Sequence, residues 1–107
     1  MSAELDPDCE LPPHLLRLFL RTSPAMMSEV VAAFKRGDAE MVRATAHKLK
    51  GSLYAAGASS LAEDLESLRA LALTGNLENC KAVLHRVEAD LRDVIAELTR
   101  RADAEGA

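Results

Sequence analysis

The chain has 107 residues and a formal net charge of −4, with 49% hydrophobic and 28% charged residues. This length and composition predict one soluble globular domain and exclude a disordered chain. The acidic balance and an aromatic content of only 3% argue against binding to nucleic acid. No apolar run approaches the roughly 18 residues that span a bilayer, and the acidic first residues do not match a secretory signal. We therefore expect no membrane association and a cytoplasmic location.

Residues 1–11 carry no periodic apolar pattern, which predicts a flexible N-terminal arm. Pro12 and Pro13 fit the start of a first helix, because the N–H that proline lacks would have no helical partner there. Pro24 interrupts this stretch. The pattern stays in phase across it and favours a kinked helix, while a new helix capped by Ser23 is the alternative. The expected core stripe consists of Leu15, Leu16, Phe19, Met26, Met27, Val30 and Phe34.

Glycines mark the ends of the first two helices. Gly37 before Asp38 predicts the end of the first helix and the capped start of the second. Gly57 is expected to close the second helix. Ser60 and Glu63 match the spacing of a capping box and predict the start of the third helix.

The last helix is predicted to run from Asn76, as a cap after Gly75, to about Arg101. Cys80 is expected to be buried within its apolar seam. Four helices joined by short turns predict an all-α, antiparallel up-down-up-down four-helix bundle over residues 12–102, followed by a disordered tail at 103–107. The seam residues alternate steps of three and four: Leu77, Cys80, Leu84, Val87, Leu91, Val94 and Leu98.

The sequence offers no recognisable site for a metal ion or a nucleotide. Its cysteines, Cys9 and Cys80, and its histidines, His14, His47 and His85, lack the short spacings of zinc ligands. It also contains no glycine-rich phosphate loop. We therefore expect no metal site and no cofactor of its own, and no role for His14 or His85.

The second helix, expected from Asp38 to about Ala56, places His47 on its outer face. At 100° per residue, His47 points about 140° away from the centre of the core stripe. Arg43, Lys50, Gly51 and Tyr54 share this outer face. The core stripe is formed by Val42, Ala46, Leu49, Leu53 and Ala56.

Positive charge is concentrated around this histidine. Residues 41–62 contain no acidic residue, and Arg43, Lys48 and Lys50 give them a charge of +3, which leaves −7 for the rest of the chain. Lys50, one turn from His47, can balance an incoming negative charge. Gly51 costs the helix about 1 kcal/mol relative to alanine, and its expected use on this face is access to the imidazole. The alternative is that these residues only form a solvated surface. Neutral imidazole, however, is a competent nucleophile, and an accessible nucleophile beside a cation suits phosphoryl transfer.

The run Ala46-His47-Lys48-Leu49-Lys50-Gly51-Ser52, followed by Gly57-Ala58, closely resembles the signature of the histidine-containing phosphotransfer (HPt) domains of multistep phosphorelays. The resemblance extends from about residue 15 to residue 98. It implies that His47 is phosphorylated on a ring nitrogen, that Lys50 helps to hold the phosphoryl group, and that Gly51 keeps the histidine accessible. Ser52 matches a position that is often small, and we expect local hydrogen bonding there. The short acidic N-terminus departs from the many members that carry a short helix over one end of the bundle.

The resemblance further implies a monomeric phosphocarrier rather than an enzyme. Its donor would be the phosphoaspartate of a hybrid sensor kinase receiver, and its acceptor another receiver, usually that of a response regulator. Mg²⁺ would come with the receiver, because no acidic cluster lies near His47 in the sequence. Two alternatives stay open: an HPt-like input domain phosphorylated directly by a kinase ATP-binding domain, and a non-catalytic bundle that only docks receivers or another protein.

Docking of a receiver is expected to need an apolar contact beside the histidine, because charge alone steers a partner without fixing its register. Three residues of the first helix lie roughly 80–120° off the centre of its core stripe and predict a partly exposed strip. Packing at the edge of the core is the alternative for these three. The predicted docking patch joins this strip with the second helix: Leu20, Met27 and Val31 with Ala44, Gly51 and Tyr54.

Overall fold

The computed structural model describes residues 5–6, 11–75 and 77–106, and its regular structure is entirely helical. Four α-helices follow one another: α1 (Pro13–Lys35), α2 (Ala39–Ala55), α3 (Ser59–Leu73) and α4 (Lys81–Gly106). A 3-10 turn, Leu77–Cys80, precedes α4. Within these described ranges there is no strand, so the all-α prediction is confirmed. The antiparallel order of the helices stays a prediction.

The helices share one main apolar core. α2 packs against α1 and α3, and α4 packs against the same two helices. The predicted stripe of α2 and the predicted seam of α4 are buried, except that Leu77 is only partly covered. Cys80 is buried as predicted, and this burial raises the pKa of its thiol. On α1, Leu16 and Phe19 are buried, but Leu15, expected in the core, is 42% exposed.

α1 is a single helix that runs through Pro24. It begins at Pro13, and Pro12 occupies the preceding cap position, as predicted. Ser23 is buried inside the helix and does not cap a new one, so the alternative of two helices is wrong. Pro24 has no N–H to offer to the preceding turn, and burial of the surrounding apolar residues holds the helix together across this position.

The turn between α1 and α2 follows the predicted chemistry. Gly37 has a φ of 71°, in the left-handed region that residues with a Cβ disfavour. Its N–H donates to the carbonyl of Phe34 at 3.0 Å, which closes the end of α1. Asp38 then accepts a hydrogen bond from the N–H of Met41 at 3.0 Å and caps α2. This cap fixes where the helix that carries His47 begins.

The start of α3 differs from the prediction. The helix begins at Ser59 after Ala58, whose side chain offers no cap, so the capping box expected at Ser60 is wrong. The turn at Gly57 brings the helix start forward and places Ser60 inside the first helical turn. The N-terminal segment contacts this turn instead. The N–H of Asp6 donates to the Gly57 carbonyl at 2.7 Å, and the Ser59 hydroxyl donates to the Asp6 carboxylate at 2.6 Å.

Both ends of the bundle depart from the expected boundaries. Leu5 and Leu11, within the predicted flexible arm, pack against the main core. α4 continues to Gly106, so residues 103–106 are helical where a disordered tail was expected. The expected cap Asn76 lies outside the described residues, and the 3-10 turn replaces the predicted first turn of the last α-helix.

Candidate functional site

α2 presents His47 on the face opposite its buried stripe. Leu49 and Leu53 are fully buried and fix the rotation of the helix against α1 and α3. Helix geometry places His47 about 140° from the centre of that stripe, and its side chain is exposed. The predicted exposure of His47 is therefore confirmed.

Four exposed residues at steps of three and four form one surface of α2, which we name the α2 ridge: Ala44, His47, Gly51 and Tyr54. They span about 80° around the helix. Tyr54 is 48% exposed. Beyond the adjacent residues and the backbone of its own helix, a methyl group added at Gly51 would meet no atom within 4 Å, so packing against the rest of the chain does not require a glycine there. The surface beside the imidazole is open and low in relief.

Lys50 lies one turn from His47 and is engaged with α3. Its Nζ lies 3.2 Å from Oε2 of Glu66. Arg69 holds the same carboxylate, with Nε 2.8 Å from Oε2 and Nη2 2.6 Å from Oε1. The hydrogen bonds from Arg69 and Lys50 lower the pKa of Glu66 to about 2, so this carboxylate is ionised at neutral pH. The cation predicted to meet a phosphoryl group thus already has an anionic partner.

The other two cations of α2 also meet carboxylates. Nζ of Lys48 lies 3.8 Å from Oε2 of Glu29 on α1, and Arg43 pairs with Glu40 on α2 itself. These acids stand outside the stretch 41–62 that carries the cations. The predicted concentration of positive charge is therefore partly neutralised in three dimensions. His47 lies between an ion pair directed towards α1 and another directed towards α3.

The apolar strip predicted on α1 lies on the face of that helix opposite Glu29, the partner of Lys48. Met27 is only 7% exposed, and Leu20 and Val31 are half-buried against the core. Met27 and Val31 line a groove between α1 and α4. Both are two residues from Glu29, so they point about 200° around α1 from the side chain that meets Lys48. The burial of Met27 fits its place in the predicted core stripe and contradicts its predicted partial exposure, so packing at the edge of the core describes it. That Leu20 and Val31 join the docking patch stays a prediction.

Ser52 and the two other histidines complete the set of candidates. Ser52 is half-buried, and its carbonyl accepts a hydrogen bond from the N–H of Ala56 at 3.0 Å. The local hydrogen bond expected of its hydroxyl stays a prediction. His14 and His85 are exposed on α1 and α4.

Among the residues that the structure describes, no three His, Cys, Asp or Glu side chains come together as a group that could hold a metal ion. In the same part of the chain, no helix combines the length and apolar character needed to cross a bilayer.

Sequence reasoning missed Glu66 and Arg69 as neighbours of the site. Their spacing of three residues is the signal of an ion pair on one helix, and it can be read from the sequence. That this pair faces Lys50 depends on how α2 and α3 pack, which apolar periodicity does not give. The same reason explains why Glu29 was not predicted to meet Lys48.

Comparison with known proteins adds one finding to this geometry. The family model described as Hpt domain matches residues 14–100, which include α2, α3 and the whole α2 ridge. Neither the comparison with curated proteins nor the comparison with solved structures gave a match.

Proposed function

This chain belongs to the Hpt domain family, and we propose that it carries a phosphoryl group on His47 from one receiver domain to another. Members of the family are phosphotransfer modules of two-component phosphorelays, act as phosphocarriers and interact with receiver domains. The proposed donor is the phosphoaspartate of a hybrid sensor kinase receiver, and the proposed acceptor is a response regulator. The observation that carries the proposal is the exposed His47 on an open helix surface, one turn from Lys50.

The proposed reaction transfers a phosphoryl group from an acyl phosphate to an imidazole. The lone pair of the unprotonated ring nitrogen of His47 attacks phosphorus. The N–P bond forms as the O–P bond to the donor aspartate breaks, and the carboxylate leaves with the bonding electrons. The second ring nitrogen keeps its proton until solvent removes it. Passage to the acceptor aspartate reverses these steps, and we expect Mg²⁺ to be bound by the receiver rather than by this chain.

The contribution of this chain is position and charge balance, which dominate phosphoryl transfer. α2 holds the imidazole by burying the opposite face of the helix, so the attacking nitrogen needs no large rearrangement to meet a receiver. Lys50 supplies a positive charge within reach of the transferred group. Arg43 and Lys48, which pair with acids nearby, are proposed to support encounter rather than chemistry.

We place the docking of the receiver on the α2 ridge. Ala44 and Gly51 flank His47 with little side-chain bulk, and Tyr54 adds an exposed ring one turn beyond Gly51. Such a surface allows the close approach that an in-line transfer needs, and the ring supplies apolar contact that fixes register.

Incubation with a phosphorylated receiver tests the proposal. Labelled phosphate should move to this chain and then to a second, unphosphorylated receiver. His47→Gln should abolish uptake, while His14→Gln and His85→Gln should not. The label should be lost in acid and survive alkali, as expected of a phosphoramidate. Uptake from kinase plus ATP but not from a receiver would support a directly phosphorylated input domain, and receiver binding without any acid-labile phosphate would support a docking bundle.

A further inference from the structure

The α3 side of the site holds a three-membered ionic cluster of Lys50, Glu66 and Arg69. Glu66 accepts one hydrogen bond from Lys50 at 3.2 Å and two from Arg69 at 2.6 and 2.8 Å. A bidentate arginine–carboxylate contact is stronger and more fixed in geometry than a single ammonium contact. Glu66 therefore keeps a cationic partner when Lys50 moves away. The cost of releasing Lys50 is correspondingly reduced.

Phosphorylation of His47 would give Lys50 a second anion to bind. A phosphoryl group adds a charge of roughly −2, and residues three positions apart on a helix are neighbours. The ammonium of lysine sits on a flexible four-carbon stem, which can rotate between two partners. Glu66 and the phosphoryl group thus compete for one cation.

We propose, building on the proposed phosphorylation of His47, that Lys50 exchanges between Glu66 and the phosphoryl group, and that Glu66 is the positioning residue that limits its capture. In the unphosphorylated chain, Glu66 holds Lys50 beside the histidine. In the phosphorylated chain, Lys50 moves to the phosphoryl oxygens while Arg69 neutralises Glu66. The competition keeps the phosphoryl group less tightly held than Lys50 alone would make it, which suits a group that must be passed on.

The opposite flank of His47 provides a matched comparison. Lys48 and Glu29 lie 3.8 Å apart, and their side chains are 59% and 50% exposed. The side chain of Lys50, in contrast, is 20% exposed. Solvent screens an exposed pair strongly, so it holds no defined position. Neutralising Glu29 changes the net charge by the same amount as neutralising Glu66, without touching Lys50.

The test measures the lifetime of phospho-His47 in the full chain after labelling with phosphoramidate. In this labelling the P–N bond of the reagent breaks and ammonia leaves; the label is later lost as inorganic phosphate when water attacks phosphorus. Glu66→Gln should prolong the lifetime by up to about fivefold, the range that a partly exposed ion pair permits. Glu29→Gln should leave it nearly unchanged. In a Lys50→Met background, Glu66→Gln should have no effect, because the residue through which Glu66 acts is gone.

A lifetime unchanged by Glu66→Gln, or prolonged equally with and without Lys50, would overturn the exchange. Circular dichroism checks that each variant is folded. Nitrogen-15 NMR of the Lys50 ammonium gives a second readout, because its signal should shift on phosphorylation if the lysine changes partner. If the wild type takes up no label at His47, the proposed function and the exchange both fail. If label is taken up but Glu66 has no effect through Lys50, only the exchange fails.

Discussion

The hydroxyl of Ser59 donates a hydrogen bond to the carboxylate of Asp6 at 2.6 Å. This contact joins the N-terminal segment to the first turn of α3, where Ala58 provides no side-chain cap. The N–H of Asp6 also donates to the carbonyl of Gly57 at 2.7 Å. A carboxylate near the start of a helix is favourable, because the helix dipole is positive there. Asp6 thus provides hydrogen-bond partners at the start of α3, although the two segments are far apart in the sequence.

Asp6→Ala should lower the free energy of unfolding by about 1 kcal/mol, the usual cost of losing a side-chain partner at a helix start. Urea denaturation followed by circular dichroism measures this change. Asp103→Ala, at an exposed position of α4, is the control and should change stability by less than about 0.5 kcal/mol. Equal stabilities of Asp6→Ala and the wild type would show that the contact does not support α3.

Glu66 should make stability depend on pH in the acid range. Hydrogen bonds from Arg69 and Lys50 lower its folded-state pKa from 4.5 to about 2. The unfolded chain lacks these bonds and takes up the proton first, so the stabilisation is complete above pH 4.5 and is lost as the pH falls to about 2. Unfolding measured against pH should show the wild type more stable than Glu66→Gln near neutrality, with the gap closing in this window. A gap that stays constant across the window would refute the ionic role of Glu66.

Gly51→Gln should raise the stability of the protein but slow phosphoryl transfer. The surface at Gly51 is open, so a side chain fits, and glutamine favours the helix more than glycine does. The free energy of unfolding should rise by up to about 1 kcal/mol. Transfer from a phosphorylated receiver should slow strongly, because the new side chain occupies the α2 ridge beside His47. Ala82→Gln, at an exposed position of α4, adds the same side chain away from the site and should leave transfer unchanged. A Gly51→Gln protein that is less stable yet fully active would contradict the access role.

Tyr54→Lys and Val31→Lys should have opposite consequences. Tyr54 is 48% exposed on the α2 ridge, so its replacement should weaken receiver binding with little change in melting temperature. Val31 is half-buried in the groove between α1 and α4, so its replacement should lower the melting temperature and leave the affinity of the folded protein intact. Titration calorimetry and thermal unfolding of both variants decide the matter. Weaker binding by a fully stable Val31→Lys protein would instead place docking on α1.

α2 shows how far local rules predict this molecule. The cap at Asp38, the turn at Gly37 and the exposure of His47 depend on residues within one or two helical turns of each other. They are readable from the sequence, and the structure agrees with each of them. The pairs of Lys48 with Glu29 and of Lys50 with Glu66 join different helices. They depend on how packed helices are rotated and shifted, which a periodic pattern does not specify.

The predictions for Met27 and Ser60 failed for different physical reasons. Met27 belongs to an apolar stripe that is broader than contact with one helix requires. The sequence pattern does not show whether the additional apolar residues pack against another helix or face solvent. In the structure Met27 is buried and borders the groove with α4. Ser60 has a glutamate three residues later, as a capping box requires, but the helix begins at Ser59. A shift of one residue is enough to turn a cap into an ordinary helical position.

The proposed function requires that His47 carries the phosphoryl group. Mass-spectrometric mapping of the modified residue, at alkaline pH after transfer from a phosphorylated receiver, tests it most directly. We predict phosphate on the peptide that contains His47 and none on His47→Gln, whose helical content should equal that of the wild type because the side chain is exposed. Phosphate found on His14 or His85, or retained by His47→Gln, would contradict the claim.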